Sequence, residues 1–425
     1  MQAPVKETKE VPLTEEDVPV TKEEGPTEED VPVTEEGPVN EGPVNEVEQN
    51  VVTSTLTLKS SGANGCVYKK NYCNKDDDSG KIISKIDKTL AIHREPTTEE
   101  EKKQNESTEY FIGQLIKERI KSPPYYYAFS PLLQECPIRI EELDADNCIE
   151  PQSPGTMIYT YSMHNEGSTS LEDKIKEEVK KDAKQAYRFF VDALLYILNS
   201  LDLLQNIPEA EEGTELETRV SDNFLKSQQV VHNDLHIANI IYNEDAAIPL
   251  IIDFGNSFLI QSTWQDYVTL QSKYWEEPRP FYKIEITLMA YMLRNHLTIE
   301  NAENIMIEIW THKESLSTRI DKQTGDAILA NYQTWIKQYT TLEALQTACM
   351  AVVPTSDYHA AIIAFYDVLY KNPDILNVDD REEIIHLFNK YLLLLPAVMP
   401  MAEFKNELNT ILLKTWIPIT EDTPA

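Results

Sequence analysis

The sequence predicts an α+β chain in three parts: an acidic N-terminal tail (1–50), a small β-rich lobe with one helix (51–163) and a large, mainly helical lobe (164–425). Three observations carry this. Short segments rich in β-branched and aromatic residues gather between Thr53 and Tyr161. An apolar period of 3.6 residues runs through Asp182–Gln205, and helical patterning dominates from about Phe281 onward. Strands first and helices afterwards is the order of an α+β fold, not of an alternating α/β one. A chain of 425 residues with 41% hydrophobic content can supply a core to each lobe.

The tail holds fifteen acidic residues against Lys6, Lys9 and Lys22. Thr-Glu-Glu-Asp-Val-Pro-Val-Thr occurs at Thr14–Thr21 and again at Thr27–Thr34, and Gly-Pro-Val-Asn-Glu occurs twice between Gly37 and Glu46. These repeats are too short and polar to stack, and their prolines block helix, so the tail is expected to be a disordered spacer or docking arm.

Beyond it, Thr53–Leu58 and Cys66–Lys69 read as strands around a Ser-Ser-Gly-Ala-Asn-Gly turn. Lys75–Gly80 reads as a polar hairpin, and Ile82–Ile86 as the next strand. Phe111, Ile112, Leu115, Ile116 and Ile120 place one apolar face on a helix within 97–121. Strands are expected near Tyr125–Pro131 and Thr156–Tyr161. Ala186, Phe190, Ala193, Leu194, Ile197 and Leu201 then mark the long helix. Asn206–Asn223 reads as an acidic, exposed insertion, and two short strands flank Asn239 and Pro249.

A net charge of −34 argues against a general positive field for gripping nucleic acid or an anionic membrane. The five cysteines, odd in number and without a Cys-x-x-Cys pair, suit free thiols in a reducing compartment. The N-terminus has no apolar signal region, and the apolar run Tyr391–Ala402 is too short to span a bilayer, so an intracellular chain is expected.

Chemistry concentrates in His232-Asn233-Asp234-Leu235-His236-Ile237-Ala238-Asn239, followed by Asp253-Phe254-Gly255. A carboxylate, an amide five residues later and a second carboxylate beyond a short hairpin form a recognisable set. Asp234 can align an acceptor hydroxyl and take its proton, while Asn239 and Asp253 offer hard oxygens to Mg²⁺ on nucleotide phosphates. Upstream, the glycines of Gly62-Ala63-Asn64-Gly65-Cys66-Val67 can let backbone amides approach a phosphate. Lys85 lies on the next strand, and Glu106 and Glu109 lie in the following helical segment.

These motifs resemble those of the eukaryotic-type protein kinase superfamily, whose catalytic loop, metal-binding triplet and glycine loop they match in order. The resemblance implies a bilobal kinase fold, ATP and Mg²⁺ as cofactors, Val67 on the adenine face, Lys85 as phosphate anchor with Glu109 as its partner (Glu106 as the alternative), and a Ser/Thr protein as acceptor. Glu109-x-x-Ile112-Gly113, Tyr125–Pro131, Cys136-Pro137-Ile138 and the His232–Ile240 loop further resemble the divergent kinases of nucleocytoplasmic large DNA viruses, over about Leu56–Met292.

Departures from the pattern matter. Ser60 stands where the first loop glycine would be, and Asn233 replaces the arginine that reads a phosphorylated activation loop. No Ala-Pro-Glu follows Asp253. Control by phosphorylation at Ser257, Ser262, Thr263 or Thr269 is therefore not expected. His236 is similar to a histidine of the choline and aminoglycoside phosphotransferases. Glu285, near Tyr282, stands where the family keeps a buried aspartate. A small-molecule kinase and a nucleotide-binding pseudokinase scaffold are the alternative readings.

Overall fold

Alternation along the strands builds the first half of the computed structural model. On β2 (Gly65–Tyr68) and β3 (Ile82–Ile92), Cys66, Tyr68 and Ile86 point to one face. There they pack with Tyr72, Ile138 and Ile158. Val67 and Lys85, paired in register, point to the other face. With β1 (Leu58–Ser61), β4 (Leu132–Arg139) and β5 (Met157–His164) they form an antiparallel sheet in the order β1-β2-β3-β5-β4. Helix α1 (Thr108–Arg119) covers the Val67/Lys85 side, burying Ile112, Leu115 and Ile116.

The described residues are 58–61, 65–77, 79–92, 108–120, 128–143, 157–165, 167, 169–207, 229–260 and 279–416. All belong to one unit, Ser54–Ala425. The tail repeats, Gly62, Glu106, Tyr125–Tyr127, most of the acidic insertion and Ser262, Thr263 and Thr269 lie outside them.

After β6 (Thr169–Ser170) come α2 (Leu171–Lys181) and the long α3 (Ala183–Gln205). Ser170 and Asp182 cap these helices by accepting from Asp173 N (3.0 Å) and Gln185 N (3.0 Å). Two small sheets follow. The strand β7 (Val230–Val231) pairs with β10 (Phe258–Leu259), and β8 (Ile240–Asn243) lies between β6 and β9 (Ile248–Ile251).

Among the described residues seven helices follow: α4 (Ile284–Arg294), α5 (Ala302–Thr311), α6 (Lys322–Ile336), α7 (Leu342–Val352), α8 (Ser356–Lys371), α9 (Val378–Leu392) and α10 (Met401–Trp416). Buried α8 packs on α3, with the Phe190 and Phe365 rings edge to face at 5.1 Å. Lys405 of α10 also reaches α3, at Asp202 (2.6 Å) and the Leu198 carbonyl (2.9 Å). The stretch Leu342–Lys371 is long and apolar enough to cross a membrane, but 72% of an 18-residue apolar window within it is buried inside the fold.

Two expectations need correction. Cys73 and Cys136 are not free thiols: a disulfide joins them, with their Cα atoms 5.6 Å apart, and Cys66 is also disulfide-bonded. Spacing along the chain gave no sign of this, because adjacency comes from the sheet: the turn after β2 delivers Cys73 to β4. Cys349 is free and buried, so cysteine usage no longer argues for a reducing compartment. Second, the strand after α1 is Leu132–Arg139, beyond the expected Tyr125–Pro131. There Ala128–Ser130 instead run beside β9, with Ser130 N donating to Ile251 O at 3.0 Å.

Candidate active site

Lys85 sits on the central strand β3, flanked by β2 and β5, so its backbone is fixed on both sides. Its ammonium donates to both oxygens of Glu109, at 2.7 and 2.8 Å, and to Asp253 Oδ1 at 2.7 Å. Glu109 can be there because it lies on the apolar stripe of α1, three and seven residues before Ile112 and Ile116. Burial works against the Lys85 charge, yet the two carboxylates raise its pKa. Burial likewise opposes the Asp253 charge, and Lys85 overcomes it, holding that carboxyl below its ordinary range. A Cβ on Gly255 would lie 3.3 Å from Asp253 Oδ1 and 3.5 Å from Glu109 Oε2, so the glycine leaves the cluster room.

The loop bearing Asp234 is held from beneath. Asp357, at the start of α8, accepts from His232 N at 2.7 Å and Asn233 N at 3.0 Å. Burial pushes the Asp357 carboxyl up to about 6 even though both amides stabilise its anion. Glu285 does not fill this role. It is buried on α4, where it accepts from Tyr332 Oη at 2.9 Å. The reason is topological: α8, not α4, is the helix that starts under the loop. Asp357 was missed because it lies over a hundred residues downstream, without a motif of its own.

Asn233 and Asp253 both take left-handed backbone, at φ 63° and 66°. Such conformations cost about 1–2 kcal/mol for a residue with a Cβ, and here hydrogen bonds hold them. His232 Nε2 meets Ile252 O at 2.9 Å, Ser257 Oγ donates to His232 O at 3.1 Å, and Asn233 Nδ2 donates to Asn256 O at 3.3 Å. His232 is fully buried, which lowers its pKa to about 4, so it is neutral and structural.

Asp234 Oδ2 accepts from Asn256 Nδ2 at 2.8 Å. Burial, then the nearby Asp253 charge, pushes the Asp234 carboxyl up to about 7, and Asn256 opposes that rise. Asn239 Nδ2 donates to the Asp234 carbonyl at 2.8 Å, which commits the amide nitrogen and leaves the amide oxygen as an acceptor. His236 lies 4.0 Å from Asp234 Oδ1, and burial lowers its pKa.

Lys85, Glu109, Asp234, His236, Asn239, Asp253 and Asn256 open into one cleft of about 1100 Å³ between the five-stranded sheet and the helical part. Val67, Leu132, Met163, Ile237 and Ile252 form its apolar walls; Lys85, Asp234, Asn239 and Asp253 form its polar floor. The sequence-predicted set therefore converges, apart from Gly62, outside the described residues, and Gly65, which starts β2. Leu132, Met163, Asn256 and Asp357 were not foreseen. Their types are common, and only packing brings the first three to the cleft and Asp357 beneath the 232–233 backbone. An amide oxygen and a carboxylate are a hard-oxygen pair that fits Mg²⁺, which keeps water and phosphate as its remaining ligands. No cluster of three or more His, Cys, Asp or Glu suited to a metal occurs among the described residues. A scan of known protein families finds no match to this chain, and no curated protein matches it.

Proposed function

We propose that this chain is an ATP- and Mg²⁺-dependent phosphotransferase with a bilobal protein kinase-like fold, acting on serine or threonine hydroxyls of proteins. The observation that carries the reading is the meeting of Lys85, Glu109 and Asp253 in one ionic cluster, 2.7–2.8 Å apart, in the cleft that Asp234 also lines. Four residues drawn from β3, α1 and two loops meet in this cleft, and their convergence supports a triphosphate site.

In this reading the apolar walls hold the base and Lys85, steadied by Glu109, grips phosphate oxygens. Asn239 and Asp253 would hold Mg²⁺, whose charge offsets that of the phosphates. Asp234, aimed by Asn256, orients the acceptor hydroxyl and accepts its proton. A pKa near 7 suits a group that must take a proton and release it again at neutral pH.

The test is incubation with γ-labelled ATP and a panel of proteins, choline and aminoglycosides. Label is expected on protein hydroxyls. Asp234→Asn is expected to retain nucleotide binding while turnover falls by about 10²–10⁴-fold. Equal turnover by this variant and the wild type would remove Asp234 from the chemistry. Label on choline or an aminoglycoside alone would favour the small-molecule reading, and nucleotide binding without transfer would favour the scaffold.

A further inference from the structure

Two walls meet beyond Asp234. One is the 232–236 loop, whose backbone Asp357 holds from the start of α8. The other is Arg279-Pro280-Phe281-Tyr282, and all four of these residues line the cleft. The rings of His236 and Phe281 meet between the walls, with centroids 5.3 Å apart, and the Tyr282 ring backs Phe281 edge to face at 4.8 Å. His236 lies 4.0 Å from Asp234 Oδ1, so this junction adjoins the carboxylate that takes the acceptor's proton in the reading above.

The residue that follows the second wall ties it down. Lys283 is 1% exposed, and its ammonium donates to Thr355 Oγ1 at 3.0 Å. Thr355 immediately precedes α8, two residues before Asp357. Its hydroxyl donates to Val352 O at 2.9 Å, so it meets Lys283 with a lone pair. Among the described residues Thr355 is the one hydrogen-bond partner of the ammonium. The Glu285 charge also acts on Lys283, but that carboxylate takes its own hydrogen bond from Tyr332 Oη at 2.9 Å. Burying an ammonium costs free energy that an apolar side chain of the same length would not.

Resting on the phosphotransferase reading above, we propose that Lys283 is a positioning residue for the phosphate acceptor. Through Thr355 it fastens the 279–282 wall to the same helix start that holds the 232–233 backbone. One turn of α8 thereby fixes both sides of the approach to Asp234. The Lys85–Glu109 pair belongs to β3 and α1 and takes no part in the tie, so the nucleotide and the acceptor are positioned by separate elements.

Three variants of the full chain test this. Lys283→Met removes the ammonium and leaves no unpaired cation behind, so it is expected to fold. Thr355→Val removes the hydroxyl with little change of size, and Thr355→Ser keeps it. Transfer from γ-labelled ATP to casein, an acidic protein, and to a histone, a basic one, gives KM for acceptor and for ATP separately. Hydrogen exchange follows the Tyr282 amide, which donates to Arg279 O at 3.1 Å. Lys283→Met and Thr355→Val are each expected to raise the acceptor KM about tenfold, with KM for ATP unchanged, and to speed exchange at Tyr282. Thr355→Ser is expected to behave as the wild type, and Thr355→Val to add nothing in the Lys283→Met background. A lysine that serves stability alone would shift the melting temperature and leave the ratio of the two KM values as it was. Unchanged acceptor KM and unchanged Tyr282 exchange in both variants overturn the tie and leave the phosphotransferase reading standing. Faster Tyr282 exchange in both, restored by Thr355→Ser, with no transfer by the wild type to either protein, upholds the tie and overturns the phosphotransferase reading.

Discussion

Asn256 is the side chain that most directly sets the chemistry of Asp234. Its amide donates to Asp234 Oδ2 at 2.8 Å and favours the ionised carboxylate, against burial and the Asp253 charge. For the wild type, kcat/KM is expected to rise with pH through about 7 as Asp234 loses its proton. Asn256→Ala removes the donor, so the acid limb should move to higher pH. A pH–rate profile measures this, and an unmoved limb in an active variant would mean that another group titrates. Ser257 shows the same scale from the opposite side. Buried and donating to the His232 carbonyl at 3.1 Å, it serves the loop's shape, not as a site for a kinase to reach.

Two helices hold the site in place, each through one close approach. Gly113 of α1 lies against β4, where a Cβ would meet Leu132 N at 2.9 Å and Leu132 O at 3.2 Å. Backbone cannot swing aside as a side chain can, so Gly113→Ala should push α1 off the sheet and cost about 1–3 kcal/mol. Glu109 is one turn away on the same face, so nucleotide affinity should fall together with the melting temperature. An unchanged melting curve would show that the helix has room to shift. Helix α8 acts through Asp357. With Asp357→Ala the amides of His232 and Asn233 lose their acceptor inside the protein, at a cost on the order of 3 kcal/mol. Denaturant unfolding measures it; a loss under about 0.5 kcal/mol would show that water replaces the carboxylate.

Among the described residues, the sheet of the β-rich part carries two small apolar clusters, and the helical part carries the large continuous core. The Cys73–Cys136 disulfide, spanning 63 residues, therefore matters most where burial is least. By loop entropy it contributes about 4 kcal/mol. Reduction, or Cys136→Ser, should lower the melting temperature and loosen the sheet side of the cleft before the helical part unfolds. Hydrogen exchange on β3 and β4 before and after reduction would detect this. Equal protection in both states would show that the sheet stands without the bond.

Local chemistry made the α+β order, the long α3 and the polar loop at 232–239 legible from sequence alone. Helical and strand periods are written in neighbouring residues, and Asp234, Asn239 and Asp253 act within a span of twenty residues. The Lys85–Glu109 pair was legible because a strand and the next helix each present one face. What sequence could not decide were the long-range partners. Glu285 and Asp357 are both buried acids near helix starts, and only the path of α8 beneath the 232–233 backbone makes Asp357 the anchor. Cys73 meets Cys136, and Arg319 meets Asp367, for the same reason: contacts between distant segments depend on how faces pack in three dimensions, and no local period records that.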